Sequence, residues 1–199
     1  MNERIRLHEP VLLSDNWYTL RKFTFDYQRK NGTWETQSRE AYDRGNGATI
    51  LLHNPAAGTV ILTRQFRLPT FVNGNPTGML IETCAGLLDD EQPDTAIIRE
   101  TEEETGYRLT AVQKVMEAYM SPGSVTERLF FYLAEYSPAT EQRAGGGIDE
   151  EEIEVLELPL TQALGMIATG EIQDGKTIML LQYLRLQQLT VSPTPFHAC

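Results

Sequence analysis

The chain has 199 residues, 41% hydrophobic and 23% charged, and its 28 acidic against 17 basic residues give a formal net charge of −11. That composition fits one folded domain of ordinary size with room for an added subdomain, and it excludes a disordered chain. The acidic balance argues against a nucleic-acid polymer as partner. No apolar run reaches bilayer length, and the charged start MNERIRLHEP lacks the apolar stretch of an export signal. A cytoplasmic protein without membrane partners is expected. Cys84 and Cys199 are the only cysteines, and no disulfide between them is expected, in keeping with a reducing compartment. His8, His53 and His197 have no paired ligand spacing, so no zinc site is expected.

The first third reads as strands. Residues 16–28 (NWYTLRKFTFDYQ) are rich in aromatic and β-branched types, Asn31-Gly32 is a hairpin-turn pair, and residues 34–45 would return antiparallel. Residues 47–54 (GATILLHN) and 58–67 (GTVILTRQFR) form a second hairpin around NPAAG. Residues 78–86 (GMLIETCAG) are a further strand. The pattern then turns helical, with Pro93 suited to a first turn and Gly106 to a left-handed C-terminal cap. Strands follow near 110–120, 127–136 and 153–159. Helical apolar spacing marks 160–170 and 175–189. The order predicts an α/β sandwich with a mixed sheet. An N-terminal antiparallel β subdomain over 1–45 precedes a main domain over 46–191 and a tail over 192–199.

The predicted helix carries RETEEETGY, with glutamates at 100, 102, 103 and 104. Like charges one turn apart repel, so this run costs stability. At about 100° per residue, Glu103 and Glu104 fall within about 60° of Glu100 on either side, while Glu102 points away. Ile97, Ile98, Thr101 and Thr105 form a separate stripe that could face a sheet. Three carboxylates on one face suit a hard divalent ion such as Mg²⁺ or Mn²⁺. An acidic, solvated helix face explains the same run.

The residues around the helix weigh on the first side. AGLLDDEQPDTAIIRETEEETGY resembles the signature of the Nudix hydrolases, with Arg99, Glu100, Glu103, Glu104, Gly106 and Tyr107 on the family's positions. Two departures stand out. The interval from Gly86 to Glu91 is one residue short, which leaves Glu91 or Gln92 for the structural glutamate, and Thr101 replaces an apolar residue. The resemblance implies a Nudix α/β/α sandwich and a metal-dependent attack of water on a diphosphate. Mg²⁺ is the expected ion, with Mn²⁺ as a substitute. RQFR, AGLLD, YMSPGSVTE, GGGIDEEEIEVLELP and DGKT extend the likeness to a branch acting on nucleoside-diphosphate sugars. GDP-mannose is the favoured substrate, giving GMP and mannose 1-phosphate, and ADP-ribose is the second. A non-catalytic sensor of nucleotide sugars is the alternative from another class.

Site residues follow from the resemblance alone. Metal ligands are the Ala85 carbonyl, Glu100, Glu104 and Glu151, and catalytic residues are Glu100, Glu103, Glu104 and Glu151. Substrate contacts are Trp17, Ser38, Arg39, Glu40, Arg67, Ala85, Gly86, Leu87, Glu104, Glu127, Glu150, Glu151 and Lys176. Arg67 would grip phosphate in fork geometry, or be an ordinary strand-end arginine. Trp17 would stack on guanine, or pack in the hairpin. Glu127 and Lys176 read equally as surface charges. The resemblance also implies a homodimer in which the N-terminal unit completes the partner's nucleotide pocket.

Overall fold

The computed structural model describes residues 3–143, 145–147 and 152–191. It divides into two compact units, one of residues up to Asn46 with Ala118–Leu129, the other of Gly47–Glu117 with Phe130 onward. Among the described residues no helix is long and apolar enough to cross a membrane.

The first unit is a four-stranded antiparallel sheet of β1 (Ile5–Leu7), β2 (Val11–Asp15), β3 (Thr19–Gln28) and β4 (Trp34–Asp43). β4 pairs with β3 along its whole length, from Thr19↔Asp43 to Gln28↔Trp34. β1 and β2 share the other edge of β3. The predicted turn is a longer loop than a two-residue hairpin. Arg29 N–H bonds Thr33 O at 2.8 Å, Asn31 Oδ1 accepts from Thr33 N–H at 3.1 Å, and Gly32 takes φ 86°. Ala118–Leu129 joins this unit through Tyr42 N–H to Ser124 O and Thr126 N–H to Tyr42 O. Leu7, Val11, Leu12, Leu13 and Trp17 are all exposed on it.

The second unit holds a seven-stranded mixed sheet of β5 (Gly47–Asn54), β6 (Thr59–Phe66), β7 (Met79–Glu82), β8 (Cys84–Leu87), β9 (Gln113–Tyr119), β10 (Arg128–Glu135) and β11 (Glu154–Pro159). β5 and β6 pair directly only near their turn, at Leu52–Asn54 against Thr59–Ile61. Beyond that the hairpin splays. The run predicted as one strand enters the gap as two, β7 against β6 and β8 against β5, switching partner at Thr83.

β5 is buried almost throughout, as a central strand covered on both faces must be. Ala48, Ile50 and Leu52 pack in one cluster with Ile97 of α2 (Pro93–Thr105), along with Tyr107, Phe130 and Tyr132. Thr49, on the opposite face by strand alternation, bonds Thr83 Oγ1 at 2.8 Å, and Thr83 N–H bonds Thr177 Oγ1 of α4 (Gly175–Val191) at 2.7 Å. α3 (Leu160–Thr169) packs on α4 and β11. Helices therefore lie on both faces, as an α/β/α sandwich requires. A five-residue helix, α1 (Leu68–Val72), follows β6 and was not predicted.

Candidate active site

The splayed hairpin and α2 build the site. Two aspartates in the loop after β8, Asp89 (φ 42°) and Asp90 (φ 70°), adopt the left-handed conformation. Aspartate tolerates this conformation better than most side chains, which lets the shortened loop turn sharply into the helix. Gln92 is the N-cap with Pro93 behind it, and Gly106 (φ 78°) closes the other end, its N–H on Glu102 O at 3.0 Å. Of the two residues left open for the structural glutamate, Glu91 is the one that reaches the helix arginine, its Oε2 accepting from Arg99 Nε at 3.3 Å, while Gln92 stands at the N-cap without a side-chain bond.

Arg99 relieves much of the repulsion. Its Nη1 lies 3.0 Å from Glu100 Oε1 and 2.9 Å from Glu103 Oε2. Burial works against its charge, but Glu100 and Glu103 hold its pKa above the ordinary value. Glu102, expected to be solvated, pairs with Arg143 at 3.1 Å and Arg108 at 3.9 Å. The expected convergence of three carboxylates is not what forms. Glu104 is 4% exposed and joins Ala96, Ile97, Thr101 and Thr105 on the buried stripe. Among the described residues no three His, Cys, Asp or Glu side chains gather as a metal site. The helical wheel put Glu104 on the acidic face, but at about 40° from Glu100 it lies only about 20° from Ile97 of the stripe, and the sheet takes it in. Thr101 replaces its usual apolar counterpart by bonding Ile97 O at 2.6 Å, so its hydroxyl is satisfied within the helix. Cys84 lies beside Glu104. Burial, then the Glu104 charge, pushes its thiol well above the ordinary range, so it stays protonated.

Gly86 is the closest backbone approach. A Cβ there would stand 2.1 Å from the carboxyl carbon of Glu100 and 2.3 Å from its Oε1. Only glycine lets the Glu100 carboxylate lie on the β8 backbone, one peptide from the Ala85 carbonyl. Leu87 ends that strand.

Four residues earlier, Glu82 ends β7, 3% exposed. Its Oε2 accepts from Arg67 Nε at 2.7 Å and its Oε1 from Lys176 Nζ at 2.5 Å. Lys176 also meets Asp174 Oδ2 at 3.1 Å. Four residues of chain span at most about 14 Å, so Glu82 and Gly86 are no farther apart than that along the β7–β8 segment. Glu82 and Asp174 were not predicted. The signal for Glu82 was a lone charge inside the apolar run MLIETC, since a buried carboxylate demands cations.

The other predicted residues sit elsewhere in the chain. Trp17, Ser38, Arg39, Glu40 and Glu127 belong to the first unit. Trp17 is 84% exposed and stacks on Tyr18, so it is not a core residue. Ser38 Oγ bonds Thr24 Oγ1 at 3.0 Å, Arg39 Nη1 bonds Ser38 O at 2.7 Å, and Glu40 is exposed. Glu127 pairs with Arg44 at 3.7 Å. Glu150 and Glu151 lie outside the described residues, as do His197 and Cys199. The glycines preceding Glu150 are tied to α2: Gly146 N–H bonds Glu104 O at 2.9 Å and Gly147 N–H bonds Glu103 O at 3.2 Å.

Comparison with known proteins decides the family. Residues 43–181 match the NUDIX domain model, and residues 4–42 match that of the GDP-mannose pyrophosphatase NudK N-terminal domain. The chain belongs to the Nudix family. It is 57% identical over 189 residues to the GDP-mannose pyrophosphatase of Citrobacter koseri, covering 95% of this chain and 99% of the relative. It is 58% identical over 183 residues to that of Pectobacterium atrosepticum, covering 92% and 95%. A crystal structure of an ADP compounds hydrolase shares the Nudix fold at a TM-score of 0.68 and 17% identity, covering 95% of this chain and 99% of that one.

Nudix hydrolases use divalent ions, and the donors present fit one. The space open at Gly86 admits the Glu100 carboxylate to the backbone beside the Ala85 carbonyl, Glu104 stands one turn on, and all are hard oxygens.

Proposed function

We propose that this Nudix chain hydrolyses the pyrophosphate bond of GDP-mannose, releasing GMP and mannose 1-phosphate, with Mg²⁺ as its ion and Mn²⁺ as a substitute. The observation that carries the reading is a glycine-cradled Glu100 on the helix of the family signature, with the Arg67 and Lys176 cations held on Glu82, four residues before that glycine. Near full-length relatives named for that activity support the substrate.

Glu100, Glu104 and the Ala85 carbonyl would hold the divalent ion, with Glu151 a further ligand. When bound, the ion neutralises charge on the diphosphate and lowers the pKa of attacking water. Arg67 spends Nε on Glu82, and among the described residues its terminal nitrogens make no hydrogen bond, so both can fork onto phosphate oxygens. Lys176 adds a point charge beside it. Arg99, held by Glu91 and Glu103, fixes the orientation of Glu100.

We further propose that the enzyme is a cytoplasmic homodimer paired through the first unit. Residues 1–46 carry eight basic and seven acidic side chains, so they are nearly neutral in a chain of net charge −11. The exposed apolar side chains of that unit support the same reading, because open strand edges and apolar patches favour pairing. Trp17, Ser38, Arg39, Glu40 and Glu127 would contribute nucleotide contacts. The cytoplasmic assignment is supported by the low cysteine count, Cys84 and Cys199 alone, which suits a reducing compartment.

The test is a turnover panel of GDP-mannose, GDP-glucose, ADP-ribose and ADP-glucose with Mg²⁺, with mass in solution measured alongside. GDP-mannose is expected to give the highest kcat/KM. A preference for ADP-ribose would overturn the substrate and leave the fold, and a monomer would overturn the dimer.

A further inference from the structure

Glu82 is a buried carboxylate whose two oxygens are divided between cations from two different elements, Arg67 at the end of β6 and Lys176 in the first turn of α4. Asp174 grips the same lysine from the other side. Its Oδ2 meets Lys176 Nζ at 3.1 Å and also accepts from Thr177 N–H at 3.0 Å and Thr177 Oγ1 at 2.6 Å, so it caps α4 as well. Thr177 Oγ1 in turn accepts from Thr83 N–H at 2.7 Å, next to Glu82 in the chain. Two carboxylates and two cations form a group of zero formal charge, anchored to the strand switch at one end and to the helix start at the other. The cations differ in freedom. The Lys176 side chain is 12% exposed and Arg67 39%. An arginine at a strand end has several soft torsions, and ordering it on binding costs entropy unless something fixes it beforehand.

We propose that Glu82 and Asp174 are positioning residues that fix Arg67 and Lys176 for the diphosphate. This rests on the reading that those two cations contact the substrate. Two effects oppose each other when Glu82 loses its charge. The uncompensated cations attract an anion more strongly, while the guanidinium fork loses its orientation. Long-range attraction acts on substrate and transition state alike, whereas orientation acts where the reacting geometry is formed. The loss therefore falls on kcat and much less on KM.

The experiment is a set of double-mutant cycles on the full chain, with GDP-mannose and Mg²⁺. Glu82→Gln is expected to lower kcat by at least about 30-fold with KM within about 3-fold, as a misplaced contact group does. In an Arg67→Ala background the same change is expected to cost about 3-fold or less, because the group it orients is gone. Asp174→Asn keeps an oxygen for Thr177 and removes only the charge facing Lys176. It carries the test if Glu82→Gln does not fold, with an expected loss of about 3- to 10-fold that vanishes in a Lys176→Ala background. Equal losses in both backgrounds, or folded variants with unchanged kcat, overturn the proposal. The wild type and Arg67→Ala answer separately for the reading beneath it. If the wild type leaves GDP-mannose intact, or Arg67→Ala is as active as wild type, the substrate contact has failed, whatever the cycles give.

Discussion

Gly86→Ala is the sharpest probe of the site, because it adds one methyl at a point where the structure says what the methyl meets. The φ of Gly86 is not in the left-handed region, so alanine costs nothing in backbone strain. The new Cβ would stand 2.1 Å from the Glu100 carboxyl carbon, and ordinary contact begins at 3.4 Å, so something must move by about 1.3 Å. β8 cannot easily yield, since Ala48↔Gly86 and its neighbours pair it to the buried strand β5. The Glu100 side chain, 17% exposed, can. Its displacement puts at risk the Arg99 contact at 3.0 Å, a partly exposed pair worth about 0–1 kcal/mol. At about 2–4 °C per kcal/mol for a chain of this size, Tm should fall by no more than about 4 °C. A misplacement of about 1 Å at a reacting centre costs on the order of 10²-fold in rate. GMP release from GDP-mannose at saturating Mg²⁺ and a thermal melt measure the two quantities. A Gly86→Ala enzyme within 3-fold of wild-type kcat/KM, roughly 0.6 kcal/mol of transition-state stabilisation, would remove Glu100 from the reaction. A collapse of Tm would mean that the strand, not the carboxylate, had moved.

Three further outcomes are expected. Glu104→Gln should cost at least about 10²-fold in kcat, as loss of a charge-stabilising ligand does, yet leave the metal-free Tm equal or higher, because a buried charge is removed; a lower Tm in the absence of metal would contradict the burial argument. Glu102→Gln, which loses only exposed pairs with Arg143 and Arg108, should stay within about 3-fold of wild-type activity. His53 is held below its ordinary pKa of 6.5 by burial, with Glu135 opposing. The unfolded chain therefore binds the proton more readily below pH 6.5, and this contribution to stability, complete above that pH, is lost as pH falls toward the folded pKa. Melts from pH 7.5 to 5 should show wild type losing Tm relative to His53→Gln, and parallel curves would refute it.

The elements legible in the sequence were those whose signal is local. β3, β4, β5 and β6 announced themselves by alternation and by the turns between them, and α2 by Pro93 and Gly106 at its ends. β1 and β2 did not, because three- and five-residue strands with exposed apolar side chains carry no period to read. The division of residues 79–87 was hidden for another reason. MLIETCAGL has no internal breaker, and the change of partner at Thr83 is imposed by the splaying of β5 from β6, a tertiary event. Glu82 was hidden in the same way, since its partner Lys176 lies 94 residues away in sequence. The glutamate run divides along this line too. Glu100 and Glu103 have Arg99, and Glu102 has Arg108 and Arg143, so three of the four charges are accounted for by cations of the chain itself. They would be tolerable in a protein that bound nothing. Glu104 is different: at 4% exposure on the stripe facing the sheet it bears the largest desolvation cost of the four. Packing alone would favour an apolar residue there, as it does at Ile97, two turns earlier on the same stripe. Within the fold that charge lies beside the Cys84 thiol, which burial and the Glu104 carboxylate keep protonated, so burial by itself does not assign Glu104 to an ion, and the Glu104→Gln variant is what separates a packing role from an ion-binding one.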